Sequence, residues 1–143
     1  MFRNILVALD QSETSKRALE EATELAQALN ARLTIISVVP HVPGFAYRAG
    51  IDAAALEREA EAETDTLLHE SAAALPEGLP VTTVLKHGHP GEEIVKQIKA
   101  GDHDLLAMGS RGLGRVTANL FGTVGGYVHY HSNVAMLVIH PEG

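Results

Sequence analysis

Apolar residues in this chain fall into two kinds of run that alternate. Short unbroken blocks, Asn4-Ile-Leu-Val-Ala-Leu9 and Leu33-Thr-Ile-Ile-Ser-Val-Val39, read as strands buried on both faces. Between them Ala18, Ala22, Leu25, Ala26 and Leu29 recur every three or four positions, the spacing of one helix face. Ser12, Thr14 and Ser15 offer N-caps for that helix, and Asn30 a stop. Pro40 ends the second strand, and His41 to Gly50, with Pro43, Gly44 and Gly50, reads as a loop. Asp52 then caps a long helix with Leu56, Ala60, Leu67, Ser71 and Leu75 on its inner face and Glu57, Glu59, Glu61 and Glu63 as a solvated face. Pro76 to Pro80 is a turn, and Val81 to Leu85 a third strand whose polar alternation suits a partly exposed sheet edge. Gly88-His-Pro-Gly91 turns into a short helix, Glu92 to Lys99, with Ile94, Val95 and Ile98 inward. Asp102 and Asp104 flank the fourth strand, Leu105 to Met108. A helix from about Thr123 to His131 and a last strand, Val134 to Ile139, complete the pattern before Pro141.

Strands that alternate with helices predict an α/β fold: an open sandwich, one domain over residues 1–143, with a parallel sheet covered by helices on both faces. In such sheets the ligand sits outside the carboxyl ends of the strands, at the switch point. Asp10 and Gly109 both follow strands, so they share that rim.

Composition narrows what the rim can bind. The apolar fraction of 45% supports a packed core, but aromatics make up only 4%, there is no Trp, and the net charge is −7. Stacking platforms and a basic surface are both missing, which argues against nucleic acid and against anionic membranes. The absence of Cys removes a thiolate metal site and a Cys nucleophile. Met1-Phe-Arg-Asn4 leads into five apolar residues, too few for a signal core or a span, so a cytoplasmic protein is expected. Of the eight His, the pairs 87/89 and 129/131 are spaced by two, and no i, i+4 pair exists. Solvated or packed histidines are therefore expected rather than a metal site.

The richest candidate for chemistry is Gly109-Ser-Arg-Gly112, nine further residues, then Gly122-Thr123. Backbone amides approach an anion closely where no side chain intervenes, and a helix starting near Gly122 adds free N–H groups. The alternative is that these glycines serve only turns and helix packing. Gly109 to Gly114 has the glycine spacing of a Walker A loop but continues Arg115-Val116, and no Gly-Lys occurs in the chain. A dinucleotide fingerprint would follow the first strand, where Asp10-Gln-Ser-Glu13 has no glycine. Arg111 and Arg115 either neutralise phosphate or stand in solvent. Asp10 either contacts a ribose or a metal-bound water, or is a helix N-cap. Gly125-Gly126 inside a helix costs about 1–2 kcal/mol in propensity relative to Ala, without an evident reason.

The pattern G-x2-G-x9-G-[S/T] after a fourth strand resembles the nucleotide motif of the universal stress protein family, matched here by Gly109, Gly112, Gly122 and Thr123. Ile5 to Ser12 is similar to that family's first strand and Asp-x-Ser turn, Gly88-His-Pro90 to its turn before the third helix, and Val134 to Ile139 to its last strand. The resemblance implies five strands in the order 3-2-1-4-5, a homodimer paired through Val134–Ile139, and, in the branch that keeps the motif, ATP bound with Mg or Mn. The nucleotide-binding set it implies is Leu9, Asp10, Gln11, Val38, Met108, Gly109, Arg111, Gly112, Gly114, Arg115, Gly122, Thr123 and Val124, with no catalytic residue and with Asp10 as a metal contact through water. Leu9-Asp10-Gln11 would lie beside adenine and ribose, Val38 would offer its backbone to the adenine edge, and the glycines and Thr123 would hold the phosphates. The expected function is an ATP-binding stress-response regulator read by a protein partner. A slow ATPase or phosphotransferase is the alternative, and an interaction protein with a vestigial cleft fits the intact motif least.

Overall fold

The computed structural model describes residues 1–110 and 122–142. Along the chain the elements are β1 (Asn4–Ala8), α1 (Glu13–Leu29), β2 (Arg32–Val39), α2 (Gly44–Arg48), α3 (Ala53–Ala73), β3 (Val81–His87), α4 (Pro90–Ala100), β4 (Leu105–Gly109), α5 (Gly122–His131) and β5 (Ala135–Ile139). The five strands form one parallel sheet in the order β3-β2-β1-β4-β5, as expected. Strand alternation sorts the apolar blocks onto two faces. Ile5, Val7, Leu33, Ile35, Leu105 and Ala107 pack under α1 and α3. Leu6, Ala8, Ile36, Val38, Leu106 and Met108 pack under α4 and α5. Each fully buried Val, Leu, Ile or Met among them contributes about 1.5–3 kcal/mol relative to exposure.

Helix α1 lies on the sheet through small residues, Ala18, Ala22 and Ala26. The Ser12 hydroxyl caps it by accepting from the Ser15 amide at 3.2 Å. Asn30 ends it in the left-handed region at φ 56°, donating its N–H to the carbonyls of Ala26 and Gln27. Asp52 caps α3 as expected, accepting from the Ala55 amide at 3.0 Å.

Two expectations change. Residues 41–50 are not wholly a loop, because α2 forms within them and buries Ala46. The inner stripe of α3 is also rotated: Ala53 and Leu68 are buried, whereas Leu56 is 43% exposed. Leu67 and Leu75 pack against the core as expected, but Leu56 shares the apolar spacing and sits at the margin of the stripe, since the fully buried positions of the helix are Ala53 and Leu68. On the opposite face α4 begins at Pro90, two residues before the expected start, with the His89 ring accepting from the Glu92 amide at 3.3 Å. A Cβ on Gly91 would stand 2.8 Å from the Tyr127 ring, so glycine there permits close packing of α4 on α5.

Candidate functional site

The chain leaves β1 toward β2 on one side and passes from β4 to β5 on the other. The switch point is therefore the gap between the carboxyl ends of β1 and β4. Helices α1, α4 and α5 run back against the strands, so their amino ends face the same rim. Asp10 and Gln11 lie on the turn after β1, Val38 near the end of β2, Gly109 at the end of β4, and Thr123 in the first turn of α5.

Asp10 is the half-buried acid of a closed turn. Its Oδ1 accepts from the Ser12 amide at 2.8 Å and from the Ser12 hydroxyl. Its own amide donates to Ser15 Oγ at 3.1 Å. Asp10 is thus not the cap of α1: it orients Ser12, which is. Both carboxylate bonds fall on Oδ1, and among the described residues Oδ2 accepts none. Ser15, read from sequence only as a candidate N-cap, and Ser37, not singled out there, fix this turn. Ser15 Oγ bonds to both backbone groups of Asp10, and Ser37 Oγ donates to the Leu9 carbonyl at 2.7 Å. The Asp-x-Ser-x-x-Ser spacing was the available signal for Ser15, whereas Ser37 meets Leu9 only through the pairing of β1 with β2.

Leu9 has its backbone groups already engaged. Its side chain is buried, its N–H donates to the Ile36 carbonyl at 2.9 Å, and its carbonyl takes the Ser37 hydroxyl. A ligand at Leu9 meets a backbone whose N–H is taken and whose carbonyl has one lone pair left. Val38 is different. The Ile36 carbonyl faces β1, while the Val39 carbonyl faces β3 and accepts from the Gly88 amide at 3.0 Å. Alternation therefore aims the Val38 N–H and C=O toward β1, at a level past its last residue. That donor and acceptor pair faces the cleft, while the Val38 side chain packs into the core.

Gly109 departs from its expected reason. It is the last residue of β4, paired with Ile139, and it is not a residue of positive φ. A Cβ there would stand 2.6 Å from the Ser15 amide nitrogen and 2.7 Å from the Thr14 carbonyl carbon. Glycine at 109 lets the first turn of α1 seat against β4. The next amide, Ser110 N–H, donates to the Ile139 carbonyl at 2.8 Å and so belongs to the sheet. Met108 on β4 and Val124 on α5 are both buried in the core between the sheet and helices α4 and α5. Gln11 and Thr123 are exposed at the rim. Arg111, Gly112, Gly114 and Arg115 lie outside the described residues, and of Gly122 only its place at the start of α5 is described.

Several histidines are packed or paired. His87 Nε2 lies 2.6 Å from Glu61 Oε1, His131 stacks on Tyr127 with ring centroids 3.9 Å apart, and His69 lies 3.4 Å from Asp65. Among the described residues no group of three or more His, Asp or Glu is placed to hold a metal ion. Among them, too, no helix is long and apolar enough to cross a membrane.

Comparison with known proteins places this geometry. The model of the universal stress protein family matches residues 1–140. A universal stress protein of Thermus aquaticus is 35% identical over 124 residues, covering 86% of this chain and 88% of that protein. Universal stress protein UspA from Lactobacillus plantarum superposes with a TM-score of 0.78 at 23% identity, covering 96% and 97% of the two chains. A universal stress protein solved in complex with cAMP gives a TM-score of 0.63 at 25% identity, covering 97% of each chain.

Proposed function

The chain belongs to the universal stress protein family, and on that premise we propose that it is a cytoplasmic regulator that binds ATP, with Mg or Mn, at the switch-point rim. The observation that carries the reading is the Val38 backbone pair aimed past the end of β1, opposite the amino end of α5. A purine edge carries one donor and one acceptor at the spacing of a peptide's C=O and N–H. Phosphates suit a helix amino end, where N–H groups are unpaired and the dipole is positive. Between them, Asp10 Oδ2 accepts from a ribose hydroxyl or from water on the metal. Gly112, Gly122 and Thr123 complete the motif, and the cAMP complex of a relative supports an adenine nucleotide as the ligand class. Arg111 and Arg115 are the cations that the motif itself brings to the phosphates of an otherwise acidic chain.

The nucleotide acts as a ligand rather than a substrate. Asp10 already holds Ser12 through one oxygen, and the motif has no Walker lysine, so charge neutralisation alone leaves much of the phosphoryl-transfer barrier standing. Ligand at about a hundred times its dissociation constant stabilises the bound form by about 2.7 kcal/mol, enough to bias a partner that distinguishes two states. The dimer forms by antiparallel pairing of β5, which the sheet order leaves at an edge.

The test is calorimetry of nucleotide-stripped protein with ATP, ADP, AMP and cAMP in the presence of Mg. Saturable binding is expected, weakened at least tenfold, or about 1.4 kcal/mol, in Thr123→Glu. A carboxylate in the first helical turn favours the helix dipole while repelling phosphate, so the melting temperature should hold or rise as affinity falls. No binding of any of the four, or unchanged affinity in the variant, refutes the assignment. Phosphate release from radiolabelled ATP should stay below about one turnover per minute.

A further inference from the structure

A cavity of about 770 Å³ lies at the end of the sheet opposite the rim, where the chain enters β4 and β5. That is the size of a small-molecule site. The same crossovers that turn helix amino ends toward the rim turn helix carboxyl ends toward this cavity. Helix α4 borders it through Lys99, and α5 through Tyr130 and His131. Each carboxyl end carries about half a negative charge on its unpaired carbonyls. Asp102 and Asp104, on the turn between α4 and β4, line the cavity as well. Asp104 is fixed in place, since its carboxylate accepts from the amides of Arg3 at 2.8 Å and Asn4 at 3.1 Å. Asp102 stands in the left-handed region at φ 54°, and its carboxylate forms no ion pair among the described residues.

Lys99 is the one lysine or arginine on the wall among the described residues. His103 also lines the cavity, and burial holds its imidazole below the ordinary 6.5, so it adds no charge at neutral pH. With histidine neutral, the two aspartates and the two helix ends outweigh Lys99 by about two negative charges. His103 Nδ1 is buried without a hydrogen-bond partner, and water or a guest ordinarily answers such an atom. Other parts of the wall are apolar or aromatic. Ile98 is buried, Val134 is half-buried, and the Tyr130 ring is 84% exposed, its centroid 5.0 Å from that of His131. Among the described residues no cluster of His, Asp and Glu suits a bare metal ion. The guest that fits this wall is an organic cation. It lays an aliphatic stem on Ile98 and Val134 and sets an ammonium group against the Tyr130 ring.

We propose that the cavity at the carboxyl ends of α4 and α5 binds a linear aliphatic polyamine. One ammonium group lies at Asp102 and the end of α4, a second at the end of α5 beside Tyr130, and the methylene chain rests on Ile98 and Val134. A single small cation would meet only one of these two poles. Lys99 opposes the guest and holds its affinity below what the acids and helix ends would give by themselves. The site is independent of the nucleotide reading. Its charge has the opposite sign, and it lies at the other end of α5 from Thr123, so either reading can fail alone.

The probe is radiolabelled spermidine in equilibrium dialysis against the nucleotide-free full chain at physiological salt. Saturable binding of one spermidine per chain is expected. Asp102→Asn/Tyr130→Ser should weaken it at least tenfold. Asparagine tolerates the positive φ and both side chains are exposed, so the melting temperature should change little. Lys99→Gln should tighten binding at least threefold, a gain that misfolding cannot mimic. Glu59→Gln removes one negative charge from the exposed face of α3, on the other side of the sheet, and should change nothing. Backbone amide shifts at saturation should concentrate at residues 98–104 and 130–135. No saturable binding, an equal loss in Glu59→Gln, unchanged binding in both Asp102→Asn/Tyr130→Ser and Lys99→Gln, or shifts centred on the rim overturns the proposal. So does displacement of spermidine by Mg at equal concentration, which would give the cavity to any divalent cation.

Discussion

Gly109→Ala separates two explanations of the most conspicuous glycine in the sequence. If its role is to let phosphate approach, a methyl group there lowers nucleotide affinity and leaves stability alone. The packing of α1 on β4 dictates the opposite. The new Cβ would stand 2.6 Å from the Ser15 nitrogen, and that backbone must retreat by about 0.8 Å to reach ordinary contact at 3.4 Å. The atoms to be displaced are main-chain atoms of a capped first turn, held by Ser12, Asp10 and the buried Thr14 and Ser15. The cost is about 2–3 kcal/mol, the upper part of the range for overpacking. For a chain of this size that is a fall in melting temperature of roughly 6–12 °C. Gly126→Ala is the matched control: a Cβ there meets nothing within 4 Å, so the helix gains about 0.5–1 kcal/mol of propensity. Urea unfolding of both variants gives the two signs directly. Wild-type stability in Gly109→Ala, with affinity reduced, would refute the packing argument.

Two further outcomes follow from geometry elsewhere. His103 is buried, with Nε2 3.1 Å from Gln97 Nε2 and no hydrogen-bond partner for Nδ1, and burial holds its imidazole below the ordinary 6.5 although the Asn4 backbone and Asp104 pull upward. The unfolded chain therefore binds its proton first, so stability is full above about pH 6.5 and is lost as pH falls from there through the lower folded value; a denaturation series from pH 7.5 to 5 should show this slope in the native chain and less of it in His103→Gln. In β5, Ile139 turns its carbonyl to β4, so alternation turns the Val138 N–H outward, and Val138→Pro should convert a dimer to a folded monomer by light scattering. Leu137→Lys is a poorer probe of the dimer because Leu137 packs against the core under α1, and an unchanged dimer in Val138→Pro would exclude pairing through this edge.

The strands were legible because each is an apolar block that has nowhere to go but a sheet covered on both faces, and all five expected blocks appear as strands within two residues at each end. The caps at Ser12, Asp52 and Asn30 were legible for the same local reason: a hydroxyl or carboxylate beside a helix start, and an asparagine that tolerates positive φ, act within one turn of chain. Where a residue's partner lies far along the chain, the sequence was silent or misleading. The apolar spacing of α3 was right, but which side of the stripe meets β2 and β3 depends on how that helix sits on the sheet, so Leu56 was expected inside and stands outside.

The rim divides the same way. That the proposed site lies near Asp10 and Gly109 follows from strand order and from the position of those residues at strand ends, both read from local pattern and family likeness. What protein contacts each residue makes there was decided by tertiary structure. A Cβ at Gly109 would meet Thr14 and Ser15, about 95 residues earlier, and the Leu9 backbone is engaged by Ser37 and Ile36. Val38 is open because β1 ends one peptide too soon to pair with it. Backbone valence is spent between neighbouring strands, and no single strand's sequence records how much of it its neighbour will use.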